Sequence, residues 1–357
     1  FSNDWKKIRA ELSPSLWLSF LLVAGFALWS LAMAVVVVPD DWDAWAIWGA
    51  KAKVLALGLG SLRDVTFFGQ PDYPLLWPAA WAFSGWCSGG WEEQWAKAWG
   101  PLCMVLCAGQ LAAAIRRQTQ RKDFSWLGAA MFVSVPAVPL IASWAYAEAP
   151  LWLMTVCSFG RLLRWRDSGE RTDLLLAGIF AAGAAHTKNE GAAFAVLALI
   201  WLILNRKRTL MKDVCAFFAP VLLLYLPWMV WVKVSLGLGS HATAGLRLDG
   251  EHFCHAASRL PEALRLAAKT WGDIRQWSVV LVPLLAAGAW LAVRARRATR
   301  LDVALPLGML MIYFLINVFH YADLGWQMGS SWNRLTAQAL PLLCLAVISA
   351  LSRRIEE

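Results

Sequence analysis

Charge is scarce in this sequence. Asp, Glu, Lys and Arg make up 16% of the 357 residues, whereas a soluble domain carries about a quarter, and that shortage excludes a wholly water-exposed surface. The usual nucleotide cradles are missing: there is no G-x-x-x-x-G-K-[ST], and no G-x-G-x-x-G follows a strand. Cysteine is sparse and badly placed for a disulfide framework, since Cys103, Cys107, Cys157, Cys215 and Cys344 lie in or at the edge of apolar runs, leaving Cys87 and Cys254 in polar segments. No internal repeat, low-complexity tract or separate soluble domain is visible.

What the sequence has in abundance is apolar length. Hydrophobic residues make up 59% of it and mean hydropathy is +0.51. The longer runs reach the roughly 20 residues that a helix needs to cross a hydrocarbon layer of about 30 Å. The expected fold is an all-α polytopic membrane protein in one domain. The net charge of +9 sits in short clusters between the runs: Lys6-Lys7-Arg9, Arg116-Arg117, Arg121-Lys122, Arg206-Lys207-Arg208, Arg294-Arg296-Arg297-Arg300 and Arg353-Arg354. That is the positive-inside pattern, so the charge reports topology and implies no nucleic-acid partner. Many of the 24 tryptophans fall near run ends, where amphipathic rings favour the interface.

Placing each basic cluster inside gives about ten crossings, with both termini on the inner side. Residues 16–38 form the first span, expected to be retained because no small-residue cleavage site follows it. The next spans have cores at 95–115, 124–144, 149–163, 174–185 and 192–204, followed by 217–236, 279–293, 303–319 and 340–351. The short run 74–86 reads as a re-entrant or surface helix. Outer segments are then 39–94, 145–148, 186–191, 237–277 and 320–334; they hold all the histidines and most acids of interest, so any chemistry is expected on the outer face.

The first outer segment opens with Asp40, Asp41 and Asp43, where an apolar run ends and an aromatic-rich helix over 42–57 begins. Its stripe of Trp42, Trp45, Trp48, Ala52 and Leu55 is expected in the lipid boundary, with Asp43, Lys51 and Lys53 off the stripe. Acids at a membrane edge suit ligand or reaction chemistry; as helix caps they would only stabilise the positive helix end. Glu148 falls in a very short outer turn. Lys188 and Glu190 sit at a span end. Arg334 follows a Gly-Ser-Ser loop and opens the last span, its fork of donors at a depth suited to bidentate phosphate binding; a snorkelling interfacial Arg is the plainer reading. In the turn around Asp72 and Tyr73 the prolines restrict the backbone, which gives Asp72 a structural role.

The motifs WDAWAIWGAKAK (42–53), QPDYPLLWP (70–78), YAEAPL (146–151), HTKNEG (186–191) and DLGWQMGSSWNRL (323–335) together resemble bacterial membrane glycosyltransferases of the GT-C superfamily, relatives of the polyprenyl-phosphate-dependent sugar and protein O-mannosyl transferases. The resemblance implies an inverting glycosyltransferase of the bacterial cytoplasmic (inner) membrane, with its site on the periplasmic or extracellular side. It would take a sugar from a polyprenyl-phosphate donor, reached from the plane of the membrane lipid, and pass it to an acceptor glycan, lipid or protein. It implies Asp43 as the base, with Asp41 its rival, because a carboxylate is suited to take the proton of an attacking hydroxyl or amine. Glu148, where the family more often has Asp, would support catalysis by positioning the acceptor or by joining a divalent cation such as Mg or Mn. Arg334 would steady the leaving phosphate, and Lys188 would pair with that phosphate or with an acid of the first loop. Tyr73 would stack on or hydrogen-bond the sugar; Lys51, Asp72 and Glu190 complete the expected substrate-binding set.

Within 237–277, the run His252-Phe253-Cys254-His255 lacks the fourth ligand of a structural zinc site. The expectation there is an amphipathic helix over 261–269 in a loop that covers the site and selects the acceptor, with His241 and Arg247 in the same stretch. Two other classes stay open at this point: a lipid or small-solute transporter, and a non-catalytic GT-C-like subunit of an envelope assembly complex.

Overall fold

The computed structural model describes residues 13–38, 41–61, 63–205, 210–239, 249–320 and 322–355; Asp40, His241, Arg247 and the basic groups at Lys6-Lys7-Arg9 and Arg206-Lys207-Arg208 lie outside them. Among the described residues there is no strand. The first helix, α1 (Pro14–Val36), has Ser13 as its cap, the hydroxyl accepting from the Leu16 N–H. At its other end the buried Lys97 donates to the Val37 carbonyl at 2.5 Å, which fixes the chain just before Asp41.

The first connection folds as a π-helix (Asp43–Gly49) running into α2 (Ala50–Leu57), then α3 (Leu76–Ser88) and α4 (Glu93–Lys97). A π-helix bonds i to i+5 and winds wider than an α-helix. It therefore breaks the expected tryptophan stripe: Trp42 and Trp45 are exposed, but Trp48 is turned inward and buried. The expected surface helix exists, with its aromatic face divided between surroundings and interior. Helix α3 is too short to span, as its length suggested.

The bundle proper comprises α5 (Trp99–Thr119), α6 (Lys122–Val133), α7 (Ala137–Ser143), α8 (Glu148–Ser168), α9 (Arg171–Thr187), α10 (Asn189–Asn205) and α11 (Leu210–Val230), the last continuing as a π-helix over Trp231–Ser235. After it come α12 (Gly250–Trp271), α13 (Ile274–Trp277), α14 (Leu281–Arg294), α15 (Arg297–Phe319) and α16 (Leu324–Ile355). The chain is a multi-pass membrane protein. Every apolar segment foreseen as a span is helical, but length and composition qualify only five described helices to cross alone, or six if the pair α6–α7 is one broken span. That pair bends by 64° around Pro136, because proline removes a helical donor and clashes with the preceding turn. The span expected over 124–144 is thus a kinked one.

Three further boundaries differ from expectation. Glu148 is the first residue of α8, where a carboxylate meets the positive helix end. Gly329, Ser330 and Ser331 are helical, with both hydroxyls bonded back to the Gln327 carbonyl, so Arg334 lies inside α16 and not at its start. The amphipathic helix expected over 261–269 is the longer α12, which contains Pro261 and the whole HFCH run.

Close helix contacts come from small residues. A Cβ on Gly100 would lie 2.0 Å from the Ala142 carbonyl oxygen, and one on Gly178 2.0 Å from that of Phe217, so α5 approaches α7, and α9 approaches α11, only because those side chains are absent.

Candidate active site

The chain alternates direction so that the end of α1, the start of α8, the α9–α10 junction, the π-helical end of α11 and the first third of α16 meet at one end of the bundle. Asp41 begins the π-helical turn: its Oδ1 accepts the Asp43 N–H at 3.1 Å, the capping role that its position allowed. Asp43 is left free to point elsewhere, and its carboxylate accepts a hydrogen bond from Arg334 Nη1. The two are 291 residues apart in the chain.

The Arg334 guanidinium lies over the Tyr146 ring, 4.7 Å from its centroid, and the Tyr146 phenol faces Asp41. Sequence reasoning did not single out Tyr146, although it stands within YAEAPL; its signal is backbone strain. Ala145 is buried with φ of 68°, a left-handed conformation that costs an L-residue about 1–2 kcal/mol. The Trp77 indole N–H donates to the Ala145 carbonyl at 2.8 Å and holds it there.

Beside this group lies a second one. Lys188, in the break between α9 and α10, donates to Glu148 Oε1 at 2.8 Å and pairs with Glu190 Oε1 at 3.0 Å. Gln338, one turn beyond Arg334, adds a bond to Glu148 at 3.3 Å. Burial works against the Lys188 ammonium, but Glu148 and Glu190 outweigh it and hold its pKa above the ordinary lysine value. Tyr73 joins the two groups. Its ring stacks on Trp48 at 5.3 Å, the Lys188 ammonium lies 5.9 Å from its centroid, and it is within electrostatic reach of Glu190, Arg334 and Asp43. Burial pushes its phenol up.

The loop around Asp72 forms the third part. Asp72 accepts from Asn189 Nδ2 at 2.7 Å and pairs with Lys233 at 3.2 Å, so the π-helical end of α11 is tied to the first connection. Lys51 is fully buried and donates to the Gln70 carbonyl at 2.6 Å; burial pulls its pKa down to about 8 against the pull of Asp72. Asn189 and Lys233 were not foreseen. Asn189 is inside HTKNEG, and the signal for Lys233 was its place as a lone cation in the apolar run 217–236.

All of the expected site residues within the described stretches therefore gather at one end. Several buried polar atoms in and around this set have no protein partner: Asp72 Oδ1, Glu190 Oε2, Gln338 Oε1 and the Tyr313 hydroxyl, the last within electrostatic reach of Glu190 and Glu148. Orphaned buried polar atoms are costly and mark places where a ligand or water belongs. Among the described residues no group of three or more His, Cys, Asp or Glu side chains is arranged to hold a metal ion. His252 pairs with Asp249 at 2.7 Å, and His255 Nε2 lies 3.1 Å from Arg259 Nη1, so the HFCH run is spent within α12 and its surroundings.

No family model and no curated protein matches the sequence. Solved structures do match the fold. ArnT from Cupriavidus metallidurans, bound to undecaprenyl phosphate, superposes with a TM-score of 0.65 at 16% identity, covering 96% of this chain and 61% of that one. The Archaeoglobus fulgidus oligosaccharyltransferase, in complex with Zn and sulfate, gives a TM-score of 0.54 at 12% identity, covering 94% of this chain and 49% of that one. The chain thus spans less than two thirds of either neighbour and has the GT-C fold.

Proposed function

We propose that this protein is an inverting glycosyltransferase that moves a sugar from a polyprenyl-phosphate donor to an acceptor at the outer face of the bacterial inner membrane. The observation that carries the reading is the meeting of Asp43 with Arg334 beside Glu148 and Lys188. It supplies a carboxylate suited to accept a proton and a guanidinium suited to a phosphate, side by side. The undecaprenyl phosphate in the ArnT neighbour supports the same donor class.

In this reading the acceptor hydroxyl or amine attacks the anomeric carbon from the face opposite the phosphate, and Asp43 takes its proton. The bond from that carbon to the phosphate oxygen breaks, and the lipid phosphate leaves with the bonding pair, its added charge met by Arg334. Asp41 holds the turn that aims Asp43. Glu148 keeps Lys188 charged and close to Tyr73, a ring suited to packing against a sugar. Helix α12, docked against α15 and α16 through Arg259, which donates to the His320 and Ala322 carbonyls, would be the cover that selects the acceptor. The group moved is a hexosyl or pentosyl residue, and lipid-phosphate donors of each kind will tell the two apart.

The test is transfer of labelled sugar from a polyprenyl-phosphate donor by membranes carrying Asp43→Asn or Arg334→Ala. Each variant is expected to lose about 10²–10⁴-fold, the range for removal of a general base or an electrostatic stabiliser. Wild-type transfer in both variants overturns the proposal.

A further inference from the structure

Every described cation at the site is already held by the protein. Lys188 is held by Glu148 and Glu190, Lys233 by Asp72, Lys51 by the Gln70 carbonyl and Arg334 by Asp43. An incoming phosphate must therefore exchange with a resident partner, or settle for the donors left over. The exposures decide which exchange is cheapest. In the Lys188–Glu148 pair the side chains are 6% and 1% exposed, and Asp72 in its pair is fully buried. Stripping one partner from such a pair strands a buried charge, which is strongly unfavourable. In the Arg334–Asp43 pair the side chains are 19% and 24% exposed, so parting them leaves a less deeply buried charge behind. Of the acids in these pairs Asp43 is the most exposed, ahead of Glu190 at 17%.

We infer that the donor phosphate displaces Asp43 from Arg334, so that the Arg334–Asp43 pair is a latch opened by the donor. This rests on the reading of Arg334 as the phosphate-binding residue. Bidentate capture by the two terminal guanidinium nitrogens needs Nη1, the atom that Asp43 occupies. The exchange swaps one anion for another on the same cation, and Tyr146 keeps the guanidinium plane in place beneath both. While Asp43 is bonded to Arg334 its carboxylate is engaged, so it is free to meet the acceptor's hydroxyl or amine only once the donor is seated. Catalysis then has a compulsory order: donor first, activation of the acceptor second.

The test is equilibrium binding of farnesyl phosphate and of inorganic phosphate to the purified full chain in detergent, by calorimetry, for the wild type, Asp43→Asn, Asp43→Ala and Arg334→Ala. With the competitor removed, both Asp43 variants are expected to bind farnesyl phosphate about tenfold more tightly, equivalent to about 1.4 kcal/mol, and Arg334→Ala to lose binding. The two Asp43 variants report the same sign through different side chains, so a folding defect in one does not decide the result. Tighter wild-type binding of farnesyl phosphate than of inorganic phosphate identifies the lipid phosphate as the ligand; equal affinity overturns that assignment. If Arg334→Ala loses binding while the Asp43 variants bind no more tightly than wild type, the latch is overturned and the phosphate site stands. Unchanged binding by Arg334→Ala overturns both.

Discussion

A buried lysine is costly unless a nearby group favours its charge, and Lys51 has the Gln70 carbonyl and the more distant Asp72 to do so. Its pKa falls to about 8 from the ordinary 10.5 because burial outweighs that help. The folded state consequently binds fewer protons than the unfolded state between those values, and stability rises with pH across that window. The gain amounts to on the order of 3 kcal/mol at one unit per 1.36 kcal/mol. Thermal denaturation in detergent from pH 7 to 10.5 is expected to show this rise in the wild type and a flatter profile in Lys51→Met; identical profiles contradict it. Arg334→Lys makes a second prediction at this scale. Lysine keeps the charge but loses the fork and the stacking on Tyr146, so transfer is expected to fall about 10²-fold, close to the alanine variant; recovery to half the wild-type rate contradicts the need for bidentate contact. The acids and cations at this scale were legible in the sequence because charge inside an apolar chain is rare enough to notice. Their pairing was not, since nothing in the order of residues says that Asp43 meets Arg334 while Asp41 caps a helix.

At the scale of elements, the junction of α9 and α10 sets Lys188. It is close because Gly191 lets the first turn of α10 fold back on α9: a Cβ there would lie 2.0 Å from the Ala184 carbonyl oxygen and 2.1 Å from its carbon. Backbone cannot retreat as a flexible side chain can, so Gly191→Ala is expected to cost about 3 kcal/mol, the upper range for overpacking, and to reduce transfer with it. A denaturation midpoint equal to wild type contradicts this. Helix existence was well marked by apolar length. Winding was not: no residue type over 43–49 calls for the wider i to i+5 ladder, so the inward turn of Trp48 is a property of the folded chain alone. The bend at Pro136 had its proline in plain view, yet a continuous apolar run across 124–144 suggested only one span and said nothing of its bend. In α16 the small polar residues Gly329, Ser330 and Ser331 looked like a loop, but the side chain of Asp323 accepts the Trp326 N–H at 2.7 Å and starts the helix before them.

The whole molecule carries polar groups at two ends with apolar helix between. The end opposite the site is a structural clamp. Arg166 donates to both carboxylate oxygens of Asp302 at 2.6 and 2.7 Å, and the Trp201 indole adds a bond at 3.2 Å. Gln118 accepts from both Arg166 and Arg353, so α5, α8, α10, α15 and α16 are joined there. Arg166→Ala removes the strongest partner of a buried carboxylate and is expected to cost about 3–5 kcal/mol, while transfer per folded molecule stays at the wild-type level. Loss of transfer without loss of stability contradicts the division of labour between the two ends. The basic clusters betrayed this end in the sequence, through the asymmetry of Lys and Arg; Asp302 did not, because an acid two residues after Arg300 looks like part of a solvated turn.

The account as a whole stands on bond breaking at the Asp43–Arg334 end. Its most direct test is a single turnover with purified protein in excess over a polyprenyl-phosphate-linked sugar, with acceptor present, following release of free polyprenyl phosphate. Wild type is expected to release it together with glycosylated acceptor, and Asp43→Asn to bind the donor yet release about 10²-fold more slowly or worse. Release by Asp43→Asn at the wild-type rate contradicts the account.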